Sequence, residues 1–322
     1  MPPKPSVSTP ARASSSTCRE PAALVTGPVT TPGSDAEVPA FWRGLGLPGL
    51  ADIHIHFLPE RVLEKVWGVF DDAEEHYGYS WPIHYRTSEH ERIETLRAMG
   101  VRGIPSLCYA HKPSMARWLN QWCHDFAARV PGAVHSGTFY AEPSCGDDVR
   151  DALDAGARLF KLHVQVGRLR PDDPVLDPAW GLLEDAQVPI VLHAGSAPRP
   201  GEHTGPEPVR ALLQRHPRLI LVIAHMGMSE YAEFAELAAS YDGVHLDTTM
   251  VGTDFMERIA PFPREALARV RDLGDKVVLG TDFPNIPYAY AHQLEALARW
   301  DLGDDWMRAV LWHNGARLMG LS

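Results

Sequence analysis

Cysteine is scarce in this chain: 322 residues hold four, Cys18, Cys108, Cys123 and Cys145. None forms a C-x-x-C pair, which excludes the common thiolate zinc motifs and a disulfide scaffold. Such usage fits a reducing compartment, with Cys108, Cys123 and Cys145 expected as buried, inert thiols. Positive charge is also short, 30 Lys+Arg against 41 Asp+Glu, for a formal charge of −11. No Lys/Arg cluster builds the basic face of a nucleic-acid binder. No stretch approaches the roughly 20 apolar residues of a membrane-spanning helix. The Pro/Ser/Thr-rich start lacks the apolar core of a secretory signal. A cytoplasmic protein with neither nucleic acid nor membrane as partner is the expectation. The glycines of "GSAPRPGEHTG" (195–205) match neither a P-loop nor a dinucleotide fingerprint.

What is present is an ordinary globular composition, 45% hydrophobic and 22% charged. Residues 1–38 carry seven prolines and little periodicity, and are expected to form a flexible N-terminal extension. The rest, 39–322, is expected to be one catalytic domain. Eight β-like runs recur at 50–57, 101–110, 132–141, 157–166, 188–195, 218–227, 242–250 and 276–283. Helical patterns separate most of them, beginning with 88–99, where Ser88 and Glu91 have capping-box spacing. Alternating strands and helices of this number predict a (β/α)8 TIM barrel. Most of the strands end in a His, Asp, Lys or Thr, as expected where a barrel's active site forms. The connection 58–87 is too long for a simple crossover and is expected to wall a substrate pocket. Its aromatic residues, Trp81 among them, are candidates to stack on a ring.

Strand periodicity puts Asp52, His54 and His56 of "ADIHIHFLP" on one face. The fifth run presents His193 in "VLHAG", the sixth His225 in "IAHMG", the eighth Asp282 in "GTDFP". His54, His56, His193 and Asp282 make a set of three imidazoles and a carboxylate suited to one divalent ion, with a position open for water. Zinc is the first choice for such ligands, while Mn2+, Fe2+ and Co2+ also fit. The ion would acidify a bound water, Asp282 would orient it, and His225 would serve as general base or polarise a substrate oxygen. Lys161 and His163 share a face of the fourth run, and Arg168 and Arg170 follow it. With Trp81 they are the expected substrate contacts, the cations favouring an anionic substrate. Asp247 in "VHLDTTM" is left open between ligand, histidine partner and loop cap.

These pieces, with "FKLHVQVG" and the terminal "VLWHNGARLMG", resemble the amidohydrolase superfamily. The branch is amidohydrolase-2, which includes aminocarboxymuconate semialdehyde decarboxylase. The resemblance runs from about residue 49 to the end. It implies a mononuclear zinc site on His54, His56, His193 and Asp282, with His225 catalytic. In binuclear relatives a carboxylated lysine of the fourth strand bridges two metals, and Lys161 lies on that strand. One metal is expected here. The branch implies a homodimer acting on a small molecule, by hydrolysis or by non-oxidative decarboxylation or hydration. A complete water-activating set favours a hydrolase of a carboxylated or aromatic substrate. A non-catalytic barrel used as a binding module would be expected to have lost ligands.

Overall fold

The computed structural model describes Met1 and residues 30–322. Eight short strands carry the sheet: β1 (Ile104–Pro105), β2 (Ala133–Val134), β3 (Ser136–Thr138), β4 (Leu159–His163), β5 (Ile190–His193), β6 (Leu221–Ile223), β7 (Val244–Asp247) and β8 (Val277–Val278). All pairings are parallel. The strands β3 to β8 follow one another in chain order, and β1 pairs with β2. The run 132–141 appears as two pieces broken at His135, so β2 and β3 together fill one barrel position.

The remaining position belongs to residues 50–57. Leu50 bridges Val101 on one side and Ile55 bridges Phe283 on the other. The Ile53 amide donates to Leu279 O at 2.9 Å, and the Leu107 amide donates to Ile55 O at 3.2 Å. The segment therefore closes the ring between β8 and β1, as the (β/α)8 reading requires. It makes bridges rather than a continuous ladder because the Ala51 amide is taken by Leu311 O at 2.9 Å. Closure removes every exposed sheet edge.

The helix Glu89–Met99 begins at Ser88 with the expected capping box, and ends at the left-handed Gly100. Asp177–Ala186 is a helix that the apolar pattern did not reveal. It starts with Pro at its first turn, where a missing N–H costs nothing. The connection after residue 57 is not an irregular loop: it folds as Glu60–Asp71 and Ala73–Tyr77. Of the expected extension 1–38, residues 2–29 lie outside the described part. The packed domain begins before residue 39: Val38 is fully buried at the start of the helix Val38–Gly44. Asp35 accepts hydrogen bonds from the Tyr85 hydroxyl and the Ala291 amide. These contacts compensate the ordering entropy that composition alone could not. Cys108, Cys123 and Cys145 are free and buried, as expected.

Candidate metal centre

Register decides which side chains meet. Lys161 pairs with Val191 and His163 with His193, so all four point to one side of the sheet. Phe160 and Leu162 take the other side and are fully buried. On the segment 50–57 the same alternation sends Asp52, His54 and His56 inward, all buried.

Each histidine of the pair is fixed by a different acceptor. His56 Nδ1–H donates to Leu107 O at 2.7 Å. His54 Nδ1–H donates to Asp247 Oδ2 at 2.9 Å, with Thr249 Oγ1 at 3.0 Å. Since a carbonyl and a carboxylate only accept, both Nε2 atoms carry lone pairs. Both point at Asp282 Oδ1, 2.9 Å from His56 and 3.8 Å from His54. These three ligand atoms lie within 4.8 Å of one another. Two bonds of about 2 Å to a shared ion span at most roughly 4 Å, and the 2.9 and 3.8 Å separations of Asp282 from the two imidazoles fall within that span. A histidine oriented by a carboxylate is the usual outer support of such a site. On these grounds the residues fit a metal ion.

Asp247, left open by the sequence, is the hub beneath the pair. Its carboxylate accepts from His54, from the His225 amide at 2.8 Å and from the Thr249 amide at 3.0 Å. Burial pushes its pKa upward, but His54 and these donors outweigh that and bring it down to about 2. Asp282 is likewise held well below the usual carboxylate range, against its burial, by His56 and the other imidazoles. Burial, with the Lys161 charge second, lowers His54 to about 3. Two anions and a neutral imidazole result at neutral pH, the state a cation needs. Asp52 lies one residue pair deeper, accepting from Thr281 at 2.6 Å and Tyr290 at 3.0 Å.

Lys161 is fully buried, and its Nζ donates to His54 Nε2 at 2.9 Å. Burial lowers its pKa to about 8, against the pull of Asp247 and Asp282. His225 follows β6 in a left-handed conformation, φ 55°, as does Asp282, φ 70°. Such backbone is costly for residues with a Cβ and persists where surrounding contacts enforce it. For His225 those contacts are Asp247 and the Thr249 carbonyl, 3.1 Å from its Nδ1. That bond leaves Nε2 free, and the ring lies 5.2 Å from that of His54.

His193, expected as the fourth ligand, lines the same cavity but falls outside the group of three. Its ring stacks on His163 at 4.0 Å and lies 4.6 Å from His225. The lateral register of β4 and β5 sets this stack. Burial first, and neighbouring charges second, keep both rings neutral. Trp81 reaches the cavity wall, its indole N–H donating to Asn285 O at 2.8 Å. Arg168 is not part of its lining: exposed and left-handed, it ends the short helix Val164–Gly167. Arg170 is held by Asp172 on the surface. The short helix directly after β4 carries the chain on from the strand, and nearness to β4 in sequence brought neither arginine to the cavity.

The cavity above these groups has a volume of about 670 Å3. Its floor is histidine, lysine and Asp282, and the two helices of the 58–87 insertion supply much of its wall. Phe70 and Tyr77 join Trp81 there, whereas Trp67, Tyr79 and His84 lie outside the lining. Sequence reasoning passed over Asn285 and Thr249. Both sit two or three residues past a strand-end carboxylate, the one pattern by which they could have been found.

No curated protein sequence matches the chain. Among solved structures it is similar to an uncharacterised TIM-barrel protein from Bordetella bronchiseptica, with 19% identity and a TM-score of 0.67 over 84% of this chain and 98% of that one. It is also similar to 5-carboxyvanillate decarboxylase from Novosphingobium aromaticivorans complexed with manganese, at 14% identity and TM-score 0.57, covering 86% and 97%. A putative 2-pyrone-4,6-dicarboxylic acid hydrolase from Pseudomonas putida shares 16% identity at TM-score 0.54, covering 85% and 98%. These likenesses establish the barrel. The sequence model described as Amidohydrolase matches residues 51–321, and this chain belongs to that family of metal-dependent enzymes.

Proposed function

We propose that the chain is a metal-dependent hydrolase that opens an amide, lactone or related C–O or C–N bond of a small carboxylated or aromatic substrate. The observation that carries this reading is the convergence of two lone pairs and one carboxylate beside a third, free imidazole nitrogen. His54, His56 and Asp282 would hold one divalent ion, zinc by ligand type, with His193 as the fourth ligand. That ion would supply Lewis acidity at the carbonyl and lower the pKa of water. His225 Nε2, neutral because burial lowers its pKa, takes the proton as water adds to the carbonyl carbon. It returns that proton to the leaving nitrogen or oxygen as the bond breaks. The Lys161 ammonium and His163 hold the polar end of the substrate, and Trp81 packs on its ring. Arg168 plays no part in this arrangement. The free buried thiols support a reducing cytoplasm, and the family resemblance supports a homodimer. No helix among the described residues is long and apolar enough to cross a membrane.

A second reading, a non-oxidative decarboxylase, has one observation in its favour: a buried ammonium stands at the floor, where it would anchor a reacting carboxylate. Two measurements test the readings, and the second separates them. Elemental analysis of protein purified without added metal should give about one ion per chain, unchanged in His225→Ala. Lactones and amides should then release acid in wild type and not in the variant. Carbon dioxide release from carboxylated aromatics, with no hydrolysis, would replace the first reading by the second. Absence of metal would overturn both.

A further inference from the structure

The outer end of the cavity carries charge that the proposed chemistry does not use. Helix Glu60–Asp71 presents Arg61 and Lys65, one turn apart, to the mouth. Lys112, from the loop after β1, joins them. All three are exposed. Other surface arginines, such as Arg86, Arg97 and Arg129, are paired with carboxylates. Among the described residues no carboxylate lies within ion-pair distance of Arg61, Lys65 or Lys112. His111 shares the rim, its pKa lowered by burial and by the charges of Lys112 and Lys65. A chain of formal charge −11 thus places three cations without an ion-pair partner together at the entrance to its cavity.

Between this rim and the buried floor the wall is apolar. Val62, Val66 and Met115 form it, with Val69 44% and Trp118 50% exposed at its edge. Five large hydrophobic residues are exposed among those described, and Val69, Trp118 and Val166 all belong to this cavity. Exposed apolar surface concentrated at one mouth marks a binding site rather than chance. The volume of about 670 Å3 lies in the range of drug-sized ligands, more than one ring fills.

We propose that the substrate is elongated: a reacting group at the histidine floor, an apolar body along the wall, and an anionic group at the far end on Arg61, Lys65 and Lys112. The inward orientation of the reacting group rests on the hydrolase reading; the outer anion site does not. Biphenyl-4-carboxylate and the non-hydrolysable ketone 4-acetylbiphenyl, nearly equal in shape and different in charge, test it by calorimetric titration. Each is titrated into zinc-loaded and chelator-treated protein. Wild type should bind the carboxylate at least tenfold more tightly in both forms. The double variant Arg61→Gln/Lys65→Gln should lose that preference and keep its affinity for the ketone, which also shows that it is folded. Equal affinities in wild type, no binding of either probe, or a preference that survives the double variant would overturn the proposal. A preference confined to zinc-loaded protein would place the carboxylate on the metal ion. The outer site would then fail while the hydrolase reading stood. Lack of metal in the purified enzyme would remove that reading and leave the rim preference in place.

Discussion

Asp247 orients His54 and holds the His225 amide with one carboxylate, so its charge acts on the site without touching substrate. Replacing it by Asn keeps the size and loses one acceptor and the anion. Loss of such an outer partner lowers metal affinity by roughly 10–100-fold. Asp247→Asn should show that loss in a competition titration with a chromogenic chelator, at nearly unchanged thermal stability. An affinity equal to wild type would mean that Thr249 alone orients His54. At this scale the ligand pair was legible, because strand parity needs only the local sequence. Asp247 was not, because its role depends on a partner 193 positions away. Arg168 shows the limit from the other side: it follows β4 closely in sequence, yet it is left exposed outside the cavity lining at the end of the short helix Val164–Gly167.

Elements carry the site through their ends. The capping box at Ser88 starts the helix that leads the chain back from the insertion to the barrel: Glu91 N–H donates to Ser88 Oγ, and the Glu91 carboxylate accepts from the Ser88 amide. Ser88→Ala should cost about 1 kcal/mol, read in a denaturant titration, without altering metal content. Gly280, in the turn after β8, behaves differently. A Cβ there would collide with Thr249 Oγ1 and approach His54 Cβ to 2.9 Å. Gly280→Ala should therefore weaken metal binding as well as stability, and wild-type metal affinity would show that the turn yields without moving His54. The insertion was read from its length and aromatic content as a pocket wall. Its two helices were not anticipated, because tertiary packing against the cavity stabilises such short segments more than propensity does.

Across the molecule, the pH dependence of stability follows from buried imidazoles. His54 is lowered to about 3 and His245 to about 4, burial being the first cause in each, and His163, His193 and His225 are lowered too. In the unfolded chain a histidine takes up a proton near pH 6.5. Between that pH and the folded values, the unfolded state binds more protons, so stability falls as pH falls. Each such group contributes a slope of about 1.4 kcal/mol per pH unit. Chelator-treated protein should lose stability steeply from pH 6.5 towards 4. His245, remote from the metal ligands, offers a control: His245→Gln should flatten the slope by one proton. A slope unchanged by that variant would mean that His245 is protonated in the fold.

By itself the sequence determined the alternation of strands and helices, the barrel that follows from it, and the inward face bearing His54, His56 and Asp282. Those features arise from periodicities of two and 3.6 residues, which short-range sterics impose. Only the tertiary structure decided that Asp247 would anchor two histidines and that His193 would stack on His163. Only it left Arg168 outside the cavity lining and brought Arg61, Lys65 and Lys112 to one rim. These are matters of which strand lies beside which and where each turn redirects the chain. They are set by ring closure and packing between segments far apart in sequence, which no local periodicity encodes.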